Sequence, residues 1–144
     1  MVETLSRGGI PYSHWSMAVG RRASALGAIV SQYEDLEQGI ANLVLTPIGS
    51  VPTEPEKGCD IAPFIDRNEN EAIAGLTEAI WEGLHRWHPR IVVGSVQVLP
   101  AASDDGSRMH WATDVFWRPR ADVDAAIRQT RITLEAGATL QVAL

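Results

Sequence analysis

The chain has 144 residues, a formal net charge of −6, 45% hydrophobic residues and 21% charged residues. This composition suits a globular chain with one hydrophobic core and excludes wholesale disorder. The acidic balance, with no long Lys/Arg run, argues against a free-standing nucleic-acid binder.

Residues 1–14 read as a loose N-terminal segment, because Gly8, Gly9 and Pro11 break regular structure. Residues 15–144 read as one domain. Glu3, Arg7 and His14 interrupt the first residues, so no signal peptide is expected. No window approaches the roughly 20 apolar residues that cross a bilayer. Trp15, Met17 and Val19 alternate, which predicts a short strand or hairpin within 15–30.

The first helix is expected after Ser31, whose spacing from Glu34 is that of a capping box. Leu36, Ile40, Leu43 and Val44 then share one helical face. Pro47 and Gly49 end it, and residues 47–63 form a loop shaped by Pro47, Gly49, Pro52, Pro55, Gly58 and Pro63. A second helix is predicted over 69–87. Asn68 is its N-cap, with Glu71 three residues on, and Ile73, Leu76, Ile80, Leu84 and Trp87 form its apolar stripe. Pro89 disfavours helix at His88.

The period then changes to two. Residues 90–99 read as a strand, Asp104-Asp105-Gly106 as a turn, and residues 108–117 as the return strand. Residues 130–134 and 139–143 supply further strand. The order predicts an α+β fold: a small domain with two main helices packed on a mostly antiparallel sheet.

Few residues support catalysis. The single cysteine, Cys59, excludes an intrachain disulfide and suits synthesis in reducing cytoplasm. A lone cysteine is more often a small buried hydrophobe than a nucleophile. His85 and His88 lie three apart near a helix end, with Cys59 and His110 elsewhere, but no zinc spacing is present. Histidines at a helix C-terminus also suit its dipole. Glu54, Glu56 and Asp60 stand in a charged loop, whereas a glycosidase needs one carboxyl in an apolar pocket. Trp81, Trp87, Trp111 and Trp117 lack basic interleaving, which favours core packing or a protein interface over base stacking.

Two motifs remain. One is the helix running into Leu45-Thr46-Pro47-Ile48-Gly49-Ser50, then Pro55-Glu56-Lys57-Gly58-Cys59-Asp60-Ile61. The other is the junction Trp87-His88-Pro89-Arg90-Ile91. In order and spacing, over residues 31–99, they resemble the phage baseplate wedge protein W family, which includes sheath initiators of other contractile injection machines. The family carries Glu-Pro-Arg at the junction; Pro89 and Arg90 match, and His88 replaces the glutamate. Glu54 and Lys57 stand where relatives often carry an arginine and an aromatic. Some relatives carry a lysozyme label, which no residue here supports.

The resemblance implies a structural protein near the baseplate hub that helps to initiate sheath assembly and is not an enzyme. It implies wedge contacts through Trp87, His88, Pro89 and Arg90, with Thr46, Pro47, Gly49, Pro55, Gly58 and Cys59 as the loop motif. Implied partners are baseplate wedge proteins, tail sheath, and hub or tube proteins. The implied place is the virion tail baseplate, after synthesis in the host cytoplasm. No cofactor, metal, nucleic acid or membrane enters this expectation. With no coiled-coil heptads, the isolated chain is expected to be a monomer or weak oligomer. Physically, Arg90 either anchors a partner carboxylate or pairs within its own domain. The alternative function is a small cytoplasmic adaptor or regulatory domain of similar fold.

Overall fold

The longest apolar stripe read from the sequence becomes the longest helix. In the computed structural model α2 spans Glu69–Trp87. Asn68 caps it from an extended conformation, and its Oδ1 accepts from the Glu71 N–H at 3.1 Å. At the other end the His88 N–H still reaches the Leu84 carbonyl, but His88 has left helical geometry, as a residue before proline must.

The structure describes residues 14–19, 27–64, 67–102, 109–122, 124–134 and 142–143. Most of the expected N-terminal segment, the Asp104-Asp105-Gly106 turn and residues 139–141 lie outside them. The chain divides into two compact units, Met1–Gly39 and Ile40–Leu144.

In the first unit, strands β1 (Trp15–Met17) and β2 (Ile29–Ser31) form an antiparallel pair, with Trp15 opposite Ser31 and Met17 opposite Ile29. Helix α1 (Tyr33–Val44) follows. Its expected cap is corrected here: Ser31 is a strand residue, and the helix begins two positions later. Gln32, at φ 53°, turns the chain between strand and helix. Its N–H donates to the His14 carbonyl, and its own carbonyl accepts from Leu36. Gln38 is buried on α1. Its amide donates to the Ser16 hydroxyl and the Met17 carbonyl, while its oxygen accepts from the Val19 N–H. One glutamine thereby satisfies the inner side of β1 and ties it to α1.

The second unit carries a four-stranded antiparallel sheet in the order β3 (Ile91–Ala102), β4 (Met109–Pro119), β5 (Arg128–Leu134), β6 (Val142–Ala143). Helix α2 packs on β3. The α+β class read from the sequence holds. On β4, Trp111, Thr113, Val115 and Trp117 alternate inward and are wholly buried. Each tryptophan contributes about 4 kcal/mol of gross apolar burial. The Trp117 indole also donates to the Thr130 hydroxyl at 2.8 Å.

The register of β3 slips between Val93 and Ser95. This bulge at Gly94 moves the inward face from odd to even positions, so Ile91 before it and Val96 and Val98 after it all reach the core. On the opposite face of β4, Asp114 takes a two-pronged contact from Arg131, at 2.7 and 2.6 Å. The guanidinium holds the Asp114 carboxyl below its usual range, against a smaller opposing effect of burial, and a Gln129 hydrogen bond adds to the lowering.

Among the described residues the buried Thr113 hydroxyl has no hydrogen-bond partner. Thr113→Val should therefore stabilise the chain by about 1 kcal/mol in chemical denaturation, because it removes an unpaired polar group without changing shape. Asp114 is more acidic folded than unfolded, so its contribution is full above the unfolded value, near 4, and is lost as pH falls through the folded one. Asp114→Asn should lower stability at pH 7, and the gap from the parent should close in acid.

Candidate protein interface

The proline-rich loop after α1 is a closed structure laid on α2. Thr46 bonds back to the α1 end through its hydroxyl, 2.6 Å from the Asn42 carbonyl. Its own carbonyl accepts from Cys59 at 3.1 Å and closes the loop. Inside, the Gly49 N–H donates to Pro55 at 2.7 Å, and the Ser50 N–H and hydroxyl both donate to Pro47. Gly49 (φ 87°) and Gly58 (φ 130°) take turns that side chains disfavour. A Cβ on Gly58 would also strike the Thr46 carbonyl. Pro47 and Pro55 are exposed. The six motif residues are thus brought together, and their chemistry is that of shaping a loop.

The loop meets α2 at two glycines. The Phe64 ring occupies the space a side chain would take at Gly75, and Cys59 with the Gly58 carbonyl does so at Gly83. Fully buried on α2 are Ala72, Gly75, Leu76, Ile80, Gly83 and Leu84. Ile73 and Trp87, expected in the buried stripe, are half-exposed. The helix is buried on two sides, against the sheet and against the loop, so the buried face is rotated from the one periodicity suggested. Burial also pushes the Cys59 thiol up to about 12, which removes the thiolate that nucleophilic or redox chemistry requires.

Glu56 on the loop pairs with Arg86 on α2 at 2.6 Å, and Glu54 pairs with Lys57 at 2.7 Å. Both carboxylates are well exposed, unlike a carboxyl held protonated in an apolar pocket. A groove of ≈ 430 Å³ runs between the loop and the outer side of α2. On its rim the Trp81 and His85 rings stack, 5.0 Å apart and within 5° of parallel. Among the described residues no cluster of three His, Cys, Asp or Glu is placed to hold a metal ion. No described helix is long and apolar enough to cross a membrane.

At the junction the four residues part ways. The Trp87 ring lies under the Arg86 guanidinium, 5.0 Å from its centre. His88 is buried, at 6% exposure, while Pro89 and Arg90 are on the surface. Arg120, just beyond β4, holds the turn from behind: its side chain donates to the Pro89 carbonyl at 2.7 Å and its N–H to the Arg90 carbonyl at 2.9 Å. The sequence reading missed Arg120, which lies thirty positions away in the chain. It also missed Gly75 and Gly83, although two glycines inside a helix are a readable signal of close packing.

The first unit offers a separate surface. Trp15, Met17 and Ile29 share the outer face of the hairpin at 62, 63 and 61% exposure, with Val19 beside them. The alternation is as read, but its apolar side is the one turned outward. Exposed aromatic and aliphatic side chains grouped in this way mark contact surfaces.

The Gly83 contact is directly testable. Gly83→Ala should cost about 1–3 kcal/mol, since the new methyl displaces Cys59 and the Gly58 backbone. In the parent chain the Cys59 thiol should resist thiol reagents at pH 8, and in Gly83→Ala it should react at a rate visible by absorbance.

No protein-family model and no curated protein matches the chain. Several solved structures share its fold, among them these two. One is a Geobacter sulfurreducens protein described as a "putative tail lysozyme", 23% identical over 76% of this chain and 96% of that chain, with a TM-score of 0.60. The other is a chain of the anti-feeding prophage baseplate, 21% identical over 77% of this chain and 89% of that chain, with a TM-score of 0.60. The α+β fold described above is therefore shared with the Geobacter sulfurreducens protein and with a chain of the anti-feeding prophage baseplate.

Proposed function

We propose that this chain is a structural component of a contractile tail baseplate, joining wedge partners at the hub and helping to initiate sheath assembly. The observation that carries this reading is the fold shared with a baseplate chain over most of the length of both. Three features support a binding role over catalysis. The hairpin exposes Trp15, Met17 and Ile29 together. The junction presents Pro89 and Arg90 on a turn braced by Arg120. Cys59, the only thiol, is sealed beneath the loop. In this reading Arg90 meets a partner carboxylate, and His88 acts from inside by shaping the turn.

The test replaces the chain with Arg90→Ala in the particle-producing cells and counts sheathed tails by electron microscopy. The purified variant should stay folded, while binding to its wedge partner weakens by about 2 kcal/mol or more, as when one side of an interfacial charge pair is removed. Sheathed tails should fall accordingly. Normal tail numbers without the chain at all would sink the reading.

A further inference from the structure

The groove between the loop and α2 has a chemistry of its own. Four carboxylates line it, from Glu56, Asp60, Glu78 and Glu82, against one guanidinium, that of Arg86. Arg86 is already neutralised by Glu56. The carboxylates of Asp60, Glu78 and Glu82 are exposed and form no ion pair or hydrogen bond among the described residues. The field at the groove is therefore negative, which repels phosphates and nucleic acid and attracts a cation.

The groove is also partly apolar. Ile48 stands on one wall at 50% exposure and Trp81 on the other at 42%. Trp81 is stacked on His85 by one ring face and leaves a half-exposed aromatic surface beside the groove. A planar guanidinium can stack on such a surface and still offer paired hydrogen bonds to a neighbouring carboxylate; an ammonium group does the first poorly and the second not at all. We propose that this groove receives an arginine side chain carried on an extended, otherwise apolar segment of a partner protein. The segment's arginine lies on Trp81 between Glu78 and Glu82, and a flanking apolar residue covers Ile48. The inference deepens the assembly reading, on which it rests for the partner's identity as a baseplate protein, but the binding chemistry is tested without any baseplate component.

The probe is a blocked hexapeptide with one central arginine flanked by leucines, titrated into the ¹⁵N-labelled full chain at pH 8. Peptides with lysine or glutamate in place of the arginine serve as comparisons. Amide shifts should concentrate at Trp81, Glu78, Glu82 and Asp60. The arginine peptide should bind at least about threefold tighter than the lysine peptide, and the glutamate peptide should leave the groove unperturbed. Trp81→Ala should weaken the arginine peptide by about threefold or more. The double variant E78Q/E82Q changes only exposed groups and should weaken it similarly with the spectrum still dispersed, so the test survives if Trp81→Ala fails to fold. Shifts scattered over the surface, equal binding of arginine and lysine peptides, undiminished binding by the double variant, or no binding at millimolar peptide would each overturn the proposal. Such a result would leave the particle test of the assembly reading untouched, and a failed particle test would leave a positive titration standing.

Discussion

The close approach of the loop to α2 is the constraint on which the candidate surface depends. Gly75 and Gly83 remove two side chains from one side of the helix, and Phe64 and Cys59 fill those spaces. A helix normally resists glycine, at a cost of about 1 kcal/mol each relative to alanine. Here the loss is offset by partial burial of a phenylalanine ring, by burial of a thiol, and by a loop that closes its own backbone bonds between Thr46 and Cys59. Because the loop is held so near, a groove forms beside it, and Glu56 comes within reach of Arg86. The raised pKa of Cys59 has the same origin, since the contact that orders the loop also excludes water from the thiol.

The sheet supplies the other side of α2 and sets where its C-terminus points. β4 carries the core of the second unit, with two tryptophans turned inward and Asp114 gripped by Arg131 on the reverse face. The bulge at Gly94 shifts the register of β3 so that Ile91 before it and Val96 and Val98 after it face the core. Arg120 leaves the end of β4 beside the start of β3, where it bonds the carbonyls of Pro89 and Arg90. The helix-to-strand turn is thus rigid for three reasons: proline stiffens it, His88 is buried, and an arginine braces it from another strand. A preorganised turn loses less entropy when a partner docks, which suits a contact element.

The hairpin of the first unit uses a different device. Gln38 satisfies the polar side of β1 from within, so the apolar side is left to face outward. In most proteins an alternating strand turns its apolar residues inward. The inversion here accords with the proposed assembly role. Of the loop carboxylates, Glu54 and Glu56 are solvated and ion-paired.

The sequence by itself determined what depends on neighbours along the chain. Asn68, Pro89 and a three-to-four spacing bounded α2 to the residue, because capping, proline sterics and helical periodicity are local. Period-two alternation located β3 and β4 and, with the helices, the α+β class. Only the tertiary structure decided which faces are used. Nothing near Trp15 says that its side of the strand is the outer one; that follows from Gln38, more than twenty positions on. Ser31 looked like a cap because its spacing to Glu34 fits, but pairing with Trp15 drew it into a strand. Of the junction, the sequence marked all four residues, and packing then separated buried His88 from exposed Pro89 and Arg90. The groove was not legible at all, for its acidic lining comes from a loop and a helix that meet only because two glycines let them.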